Sequence, residues 1–525
     1  MAEVTQIAAA PVRLWQRITA EMNPPVFFGA GGCVIAFCIF GAGFTDIAEP
    51  FFNRLQSGIS RFFGWYYVLV VTGLLLFSLW LGISRVRHIR IGGPGTQPEF
   101  GRLAWFSMLF AAGMGIGLVF WAVAEPLMHY DNPLLADPRS EAALKEALRL
   151  TFFHWGLHAW GIYVVLALGV AYFHFNKGMP LAPRSIFYPL LGYRINGWIG
   201  HAIDILCTVG TLLGVATSLG IGAIQINAGL AQFFDLPIAT PVQLILIAVI
   251  TLIATISVVS GVQAGIRRLS MANLALAFAL FLFVLLTGPT LFILQVLTTS
   301  VGEYIQTLPS ISLYLELDPE SRWQSTWTLF YWGWWISWSP FVAVFVARIS
   351  RGRTISEFVW VVLLVPTVAT MLWLAVFGGT GLYTQIYEDA NLIERVRGDV
   401  SISLHAVLQT MPLPTLSQAL ATLVITLFFI TSSDSGSLVD DIVTSGGRLH
   451  PPKAQRVFWA TSEGAAAITL LVVGGLQAMR DATISLGLPM SILLVAVCFS
   501  LYKTLRKDEQ IAPQGAPYSG MARRV

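Results

Sequence analysis

The sequence predicts an all-α, polytopic membrane protein with twelve transmembrane helices. Three observations carry that expectation. Of 525 residues, 56% are hydrophobic and only 11% charged, whereas soluble domains carry about 25% charged residues. Twelve apolar stretches come close to the roughly 20 residues that a bilayer crossing needs. Basic residues collect in every second loop. The net charge of +3 is spread over these short loops and marks no nucleic-acid-binding face.

The spans are expected at 27–44, 65–82, 103–124, 151–172, 203–224, 242–259, 274–294, 327–347, 358–377, 416–430, 457–473 and 484–501. The tenth is short and runs on through Thr431 and Ser432. The first is preceded by Arg13 and Arg17 and lacks a convincing cleavage site, so it is expected to be a span and not a signal peptide. Arg85, Arg87, Arg90 and Arg102 follow span two, and Lys177, Arg184 and Arg194 follow span four. Arg267 and Arg268 follow span six. Arg348, Arg351 and Arg353 follow span eight, and Arg448, Lys453 and Arg456 follow span ten. Glu303, Glu316, Asp318 and Glu320 lie in a loop of the other set. The positive-inside rule then puts both termini in the cytoplasm, which an even number of spans satisfies. The long loops 125–149 and 378–415 face outside, with short interfacial helices expected around 140–150, 391–409 and 302–317. The four cysteines, Cys33, Cys38, Cys207 and Cys498, lie in or beside apolar segments without metal-ligand spacing and read as small hydrophobes.

Span three contains Gly113, Gly115 and Gly117. Each glycine weakens a helix by about 1 kcal/mol relative to alanine. Gly113 and Gly117 also suit close helix packing, but the third glycine between them argues for an unwound stretch at mid-membrane. Such backbone is tolerated only beside a cavity or within protein. Pro126 follows Glu125 and is expected to stop the helix. Span eight is the fifth after span three and runs the opposite way, as in the inverted repeats of secondary transporters. The repeats are expected at 103–300 and 324–502, with 27–102 as two peripheral helices. The remaining segments are a cytoplasmic N-terminus (1–26), an outer interfacial segment (301–323) and a short cytoplasmic tail (503–525).

Span eight crowds tryptophan into its middle, where tryptophan is normally found at span ends. Trp327, Tyr331, Trp334, Trp335 and Trp338 fall at i, i+4, i+7, i+8 and i+11, on one helical face. Stacked π-faces in a low-dielectric interior bind a quaternary ammonium; the other reading is a packing stripe or a displaced interfacial belt. Trp155, Trp160 and Tyr163 on span four fall within about 140° of one another and complete a box if they face that wall. Trp327 sits about two turns outward, towards an entry path. His154 and His158 stand at i, i+4, but no third ligand accompanies them, so packing and hydrogen bonding are expected there. No nucleophile motif or metal cluster supports an enzyme, and the broken helix argues against a continuous pore.

The stretch Gly113 to Pro126, reading GMGIGLVFWAVAEP, resembles the signature of the betaine–carnitine–choline transporters. So do Tyr331 to Phe341, reading YWGWWISWSPF, and Ala347 to Arg353, reading ARISRGR. The resemblance runs from the first span to the last. It implies a leucine-transporter-like fold with two inverted five-helix repeats, typically trimeric, in a bacterial-type cytoplasmic (inner) membrane. It also implies alternating-access import of an onium zwitterion such as glycine betaine. The substrate site it implies is Trp155, Trp160, Tyr163, Trp334, Trp335 and Trp338, with Trp332 or Phe345 as cytoplasmic-side partners. The carboxylate would meet the unwound backbone at Gly113, Met114 and Gly115.

The residues narrow the coupling. Proton-coupled choline members carry an acid where Gly117 stands, and no Asp or Glu occurs between Leu103 and Ala124. Sodium-independent carnitine exchangers place a span-five arginine where a sodium would sit, and no Lys or Arg occurs from Ile195 to Ile266. Sodium symport is the expectation, with no other cofactor; a carnitine/betaine exchanger and proton-coupled choline uptake are the alternatives. By resemblance one sodium is held by Ala111, Met114, Phe428, Thr431 and Ser432. A second site would use Thr211 and Phe341, but Val215 stands where another ligating hydroxyl belongs, with Thr217 or Ser218 as substitutes. An amino-acid or amine transporter of the same fold is the remaining reading. The short tail, with Asp508 and Glu509 offsetting its basic residues, predicts little osmotic regulation.

Overall fold

The computed structural model describes residues 21–113, 115–260, 263–318, 320–388, 390–449 and 451–511. The principal helices are α1 (Pro24–Gly43), α2 (Thr45–Ile83), α3 (Arg102–Gly113), α4 (Ile116–Asp131), α5 (Glu141–Trp155), α6 (Leu157–Phe175), α7 (Trp198–Leu230), α8 (Thr240–Ser260) and α9 (Gln263–Thr287). They continue as α10 (Thr290–Ile311), α11 (Thr328–Ile349), α12 (Ile355–Tyr387), α13 (Leu392–Gly398), α14 (Ser403–Thr410), α15 (Pro414–Thr444) and α16 (Lys453–Ile511). Among the described residues there is no strand, only an isolated bridge between Arg90 and Thr354. Among the described residues ten helices are long and apolar enough to cross a membrane, or eleven if the bent pair α3/α4 is counted as one span. All four cysteines are free. The far N-terminus, Met114 and the tail beyond Ile511 lie outside the described residues.

Glycines set where these helices break. α3 and α4 meet at 64° across the glycine-rich stretch, and Gly115 caps α4 in an extended conformation. α16 has 59 residues, about 88 Å as a straight rod, nearly three times a hydrocarbon core. It breaks at Gly474 and Gly475, the latter at φ +58°, where a side chain would be strained. The stretch after the break runs back: Thr469 packs on Gly41 of α1, whereas Asp508 bonds the hydroxyl of Tyr172 near the end of α6. A third break, not legible in the sequence, falls at Gly156 between α5 and α6. There the freed N–H of Leu157 donates to the Tyr304 hydroxyl of α10 at 3.2 Å.

Glycines also set how closely helices approach. α7 lies at the centre, packed on α1, α11, α15 and α16. A Cβ on Gly210 would sit 3.3 Å from the Ser337 carbonyl oxygen, and one on Gly214 only 3.4 Å from the Trp338 backbone. These two residues bring α7 against the middle of α11. On α11's other side, Gly333 faces the Thr483 and Ile484 backbone of α16, and Tyr67 of α2 donates its hydroxyl to the Ile484 carbonyl at 2.5 Å.

The base of α3 is held at the basic end of the bundle. The Arg353 guanidinium lies 4.5 Å from the Trp105 ring. It donates to Glu357 (2.9 Å) and to the Phe100 carbonyl (2.6 Å). At the other end Arg139 and Arg397 both bind Asp131 and Glu394, tying the loop after α4 to α13.

A methyl group on Gly333 would lie 2.8 Å from backbone atoms of α16. Gly333→Ala is therefore expected to cost about 1–3 kcal/mol by overpacking, lowering the midpoint of thermal unfolding in detergent. Gly302→Ala lies inside α10 and meets nothing within 4 Å, so it should leave the midpoint unchanged or raise it. Equal midpoints for the two variants would refute this account.

Candidate functional site

The site is built where α4 begins, against α5 and α11. Gly117 is its narrowest point. A Cβ there would lie 2.5 Å from Trp334 Cη2 and 3.3 Å from Trp155 Cη2, and one on Gly115 would lie 3.9 Å from Trp338 Cη2. Three of the tryptophans singled out in the sequence thus end on the broken stretch of the third span.

The span-eight stripe forms a continuous wall. Trp334 and Trp335 stack at 4.9 Å and 14°. Tyr331 lies parallel to Trp335 at 5.8 Å and 23°, and Trp327 parallel to Tyr331 at 6.5 Å and 22°. Trp338 follows Trp335 at 6.4 Å. Trp155 of α5 meets Trp335 edge-on at 4.8 Å and 66°. Trp160 and Tyr163, further along α6, pair edge-on with each other at 5.3 Å. Both are buried on α6, which packs along α11. Trp332 points the other way, stacked on His158 at 5.5 Å, and Phe345 is exposed.

Hydrogen bonds fix the rings. Trp335 Nε1 donates to the His154 carbonyl at 2.9 Å, and Trp334 Nε1 to the Gly214 carbonyl at 3.4 Å. Trp155 Nε1 donates to Glu125 Oε2 at 2.8 Å, and the Tyr331 hydroxyl to the same oxygen at 2.5 Å. On Oε1, Glu125 accepts from His154 Nδ1 at 2.6 Å and from His129 Nε2 at 3.2 Å. His154 Nε2 in turn accepts from Thr328 at 3.1 Å. The Trp338 N–H and the Tyr163 hydroxyl remain unpartnered, two donors free on the flank of the wall.

Glu125 was legible only as the residue before a helix-stopping proline. The proline in fact stays inside α4, which runs on to Asp131. His154 does find companions, Glu125 and His129, whose ligand atoms lie within 4.8 Å of one another and of its own. Chemically, three such ligands can hold a metal. Here both carboxylate oxygens are taken by donors, and 2.6 Å between His154 and Glu125 is hydrogen-bond length. The cluster is a hydrogen-bonded hub. An acid at membrane depth is itself a functional signal, and that rule points to Glu125.

The residues expected to bind sodium are divided between two helices. Ala111 lies at the end of α3, exposed; Met114 is outside the described residues, and Gly113 closes α3. Phe428 is buried on α15, with Thr431 and Ser432 half-buried one turn on. The Thr431 hydroxyl donates to the carbonyls of Leu427 (2.9 Å) and Phe428 (3.3 Å). For the second site, Thr211 is buried on α7 beside Gly210, and Phe341 lies 5.3 Å from Trp338. Val215 packs on Gly436 of α15. Thr217 and Ser218 bond back to their own helix, at Leu213 and Gly214.

A wall of aromatic faces set on a broken membrane helix is the arrangement the quoted motifs imply. The betaine/carnitine/choline family transporter model matches residues 25–510. The chain belongs to this family. It is 43% identical over 491 residues to the glycine betaine transporter OpuD of Bacillus subtilis, covering 92% of this chain and 95% of that protein. It is 41% identical over 498 residues to glycine betaine transporter 1 of Vibrio parahaemolyticus, covering 93% and 95%. An uncharacterized transporter of Mycobacterium tuberculosis is 47% identical over 505 residues, covering 94% and 84%. The betaine/carnitine/choline family protein described here is thus a multi-pass membrane transporter and not an enzyme.

Glu125→Gln tests the hub. The amide turns two of the carboxylate's acceptor positions into donors that face other donors. A buried polar group left unsatisfied costs about 1–3 kcal/mol. A lowered thermal midpoint and an altered near-ultraviolet signal from the Trp155 and Tyr331 rings are expected. Parent-like values in both would mean the carboxylate is not the anchor of the wall.

Proposed function

We propose that this transporter imports a glycine-betaine-like onium zwitterion by sodium symport with alternating access. The observation that carries the reading is the convergence of Trp155 and Trp334 on Gly117. It puts aromatic faces for the onium head beside unwound backbone suited to the carboxylate, whose N–H groups and half-helix dipole favour an anion. Each desolvated cation–π contact contributes up to about 2 kcal/mol. Three or four of them supply at most about 6–8 kcal/mol, so a micromolar-class site, about −8 kcal/mol net of binding costs, draws on the carboxylate contacts as well. The relatives named as glycine betaine transporters support the substrate class.

Coupling to sodium rests on the missing charges in spans three and five. Gly117 bears on the proton-coupled alternative as well: an acidic side chain there would have to displace the Trp334 ring. Sodium would be held by Ala111, Met114, Phe428, Thr431 and Ser432, and Thr211 with Phe341 would frame a second, less complete site. In this reading the ten candidate helices become twelve spans, with α3/α4 counted as one and α16 divided at Gly474–Gly475. Spans three to seven and eight to twelve form the inverted repeats of a leucine-transporter-like fold. The protein is a trimer in the inner membrane with both termini in the cytoplasm. Glu125, His129 and His154 are sealed from solvent. Trp338 is half-buried although it sits between Gly115 and Gly214, and Ala111 is exposed. That asymmetry supports a site opened towards the cytoplasm.

Uptake of labelled glycine betaine into proteoliposomes should require an inward sodium gradient. Undiminished uptake with potassium in place of sodium would sink the symport reading, and uptake only into betaine-preloaded vesicles would favour the exchanger. Gly117→Ala drives a methyl group into the rigid Trp334 ring. It should weaken betaine binding at least tenfold in a tryptophan-fluorescence titration, a change of about 1.4 kcal/mol. Unchanged affinity would remove Trp334 from the site.

A further inference from the structure

We infer that Arg480 of α16 docks the carboxylate of the incoming zwitterion on the outer approach to the aromatic wall. This rests on the zwitterion reading above and adds to it a residue outside the expected site. The Gly474–Gly475 break restarts the helix just before Arg480 and turns its side chain inward. The guanidinium carbon lies 5.3 Å from the Phe330 ring centre, 5.5 Å from Trp121 and 5.8 Å from Trp327. Trp121 meets Trp327 edge-on at 5.5 Å, and Phe330 stacks on Trp334 at 5.4 Å and 26°. Arg480 therefore touches the wall at its Trp327 end, and one ring, Phe330, separates it from Trp334.

A guanidinium offers π-faces to aromatic rings, and its edges carry five N–H donors in a fork matched to a carboxylate. In Arg480 the rings are present, but the Asp481 carboxylate, whose charge it feels, closes no ion pair with it. Its Nε is sealed from solvent without a partner, and among the described residues no carboxylate pairs with it. The neighbouring Asp481 is engaged by Gln477 at 2.7 Å. Arg353 supplies an internal contrast. It too lies over a tryptophan, but Glu357 and the Phe100 carbonyl occupy its edges. A half-buried cation whose fork closes on no carboxylate is costly to keep. A planar, two-oxygen anion arriving with the substrate supplies that charge, so Arg480 should favour carboxylate-bearing onium compounds over choline, which lacks a carboxylate.

The test uses the full-length transporter in proteoliposomes, as parent, Arg480→Gln and Arg480→Lys. The readouts are KM for glycine betaine uptake and the inhibition constant of choline against it. Arg480→Gln should raise the betaine KM at least tenfold, with the choline constant within twofold of the parent or lower. Arg480→Lys, which keeps the charge and loses the fork, should fall between. If both constants move by the same factor in Arg480→Gln, or neither moves, the residue is packing only and the inference is overturned. If Arg480→Gln elutes aggregated on size exclusion, the betaine-to-choline ratio of folded Arg480→Lys decides, and an unchanged ratio overturns it. A parent that takes up no betaine would instead bring down the zwitterion reading itself.

Discussion

A carboxylate without access to water must find its hydrogen bonds inside the protein, and Glu125 finds four. They come from its own helix and two others: His129 on α4, His154 and Trp155 on α5, and Tyr331 on α11. These bonds tie the broken third span, the start of the fourth and the aromatic eighth together. Charge-assisted bonds of this kind are roughly twice as strong as neutral ones, and the low dielectric strengthens them further. The surrounding backbone is arranged to suit. Pro126 cannot donate to the Ala122 carbonyl, and Gly378 of α12 comes up to that carbonyl, where a Cβ would sit 2.8 Å away. The hub sets Trp155 and Tyr331 directly and sets Trp335 through the His154 carbonyl.

Glycine does at the inner face of the wall what the hub does at its outer end. Large rings converge only where something gives way, and the yielding positions are Gly115 and Gly117 on one side and Gly214 on the other. Trp334 shows both effects. Its ring tip rests on Gly117 while its N–H reaches the Gly214 carbonyl. Aromatic bulk on α11 and its absence on α4 and α7 are one packing solution read from two sides.

This explains what was legible in the sequence. The helical periods, the stripe from Trp327 to Trp338 and the glycine run in span three are local signals, and each marks a feature of the fold. The break at Gly156 was not legible, because a single glycine in an apolar run is common and its consequence depends on Tyr304 of α10 arriving to take the freed N–H. Nor was the choice between His154 and His158. They lie one turn apart in the same apolar run, yet one meets Glu125 and the other stacks on Trp332 with both ring nitrogens unpartnered. Arg480 carried no pattern at all; its meaning comes from rings more than a hundred residues away. Pairings across the bundle are set by tertiary geometry that periodicity does not encode.

The hub also bears on how strongly the wall attracts a cation. A neutral ring draws a cation through the negative potential of its face. Trp155 and Tyr331 donate their N–H and O–H to a carboxylate, and a donor bonded to an anion is polarised towards its own ring. The faces of these two rings are thereby made more negative. Both rings touch Trp335, at 4.8 and 5.8 Å, so the gain falls at the centre of the wall. Glu125 itself, saturated with donors, has no lone pair free to trap a cation in place. In the function proposed above, a negative charge placed behind the rings instead of among them would attract an onium head without binding it as a salt. That is what a carrier that must release its cargo requires.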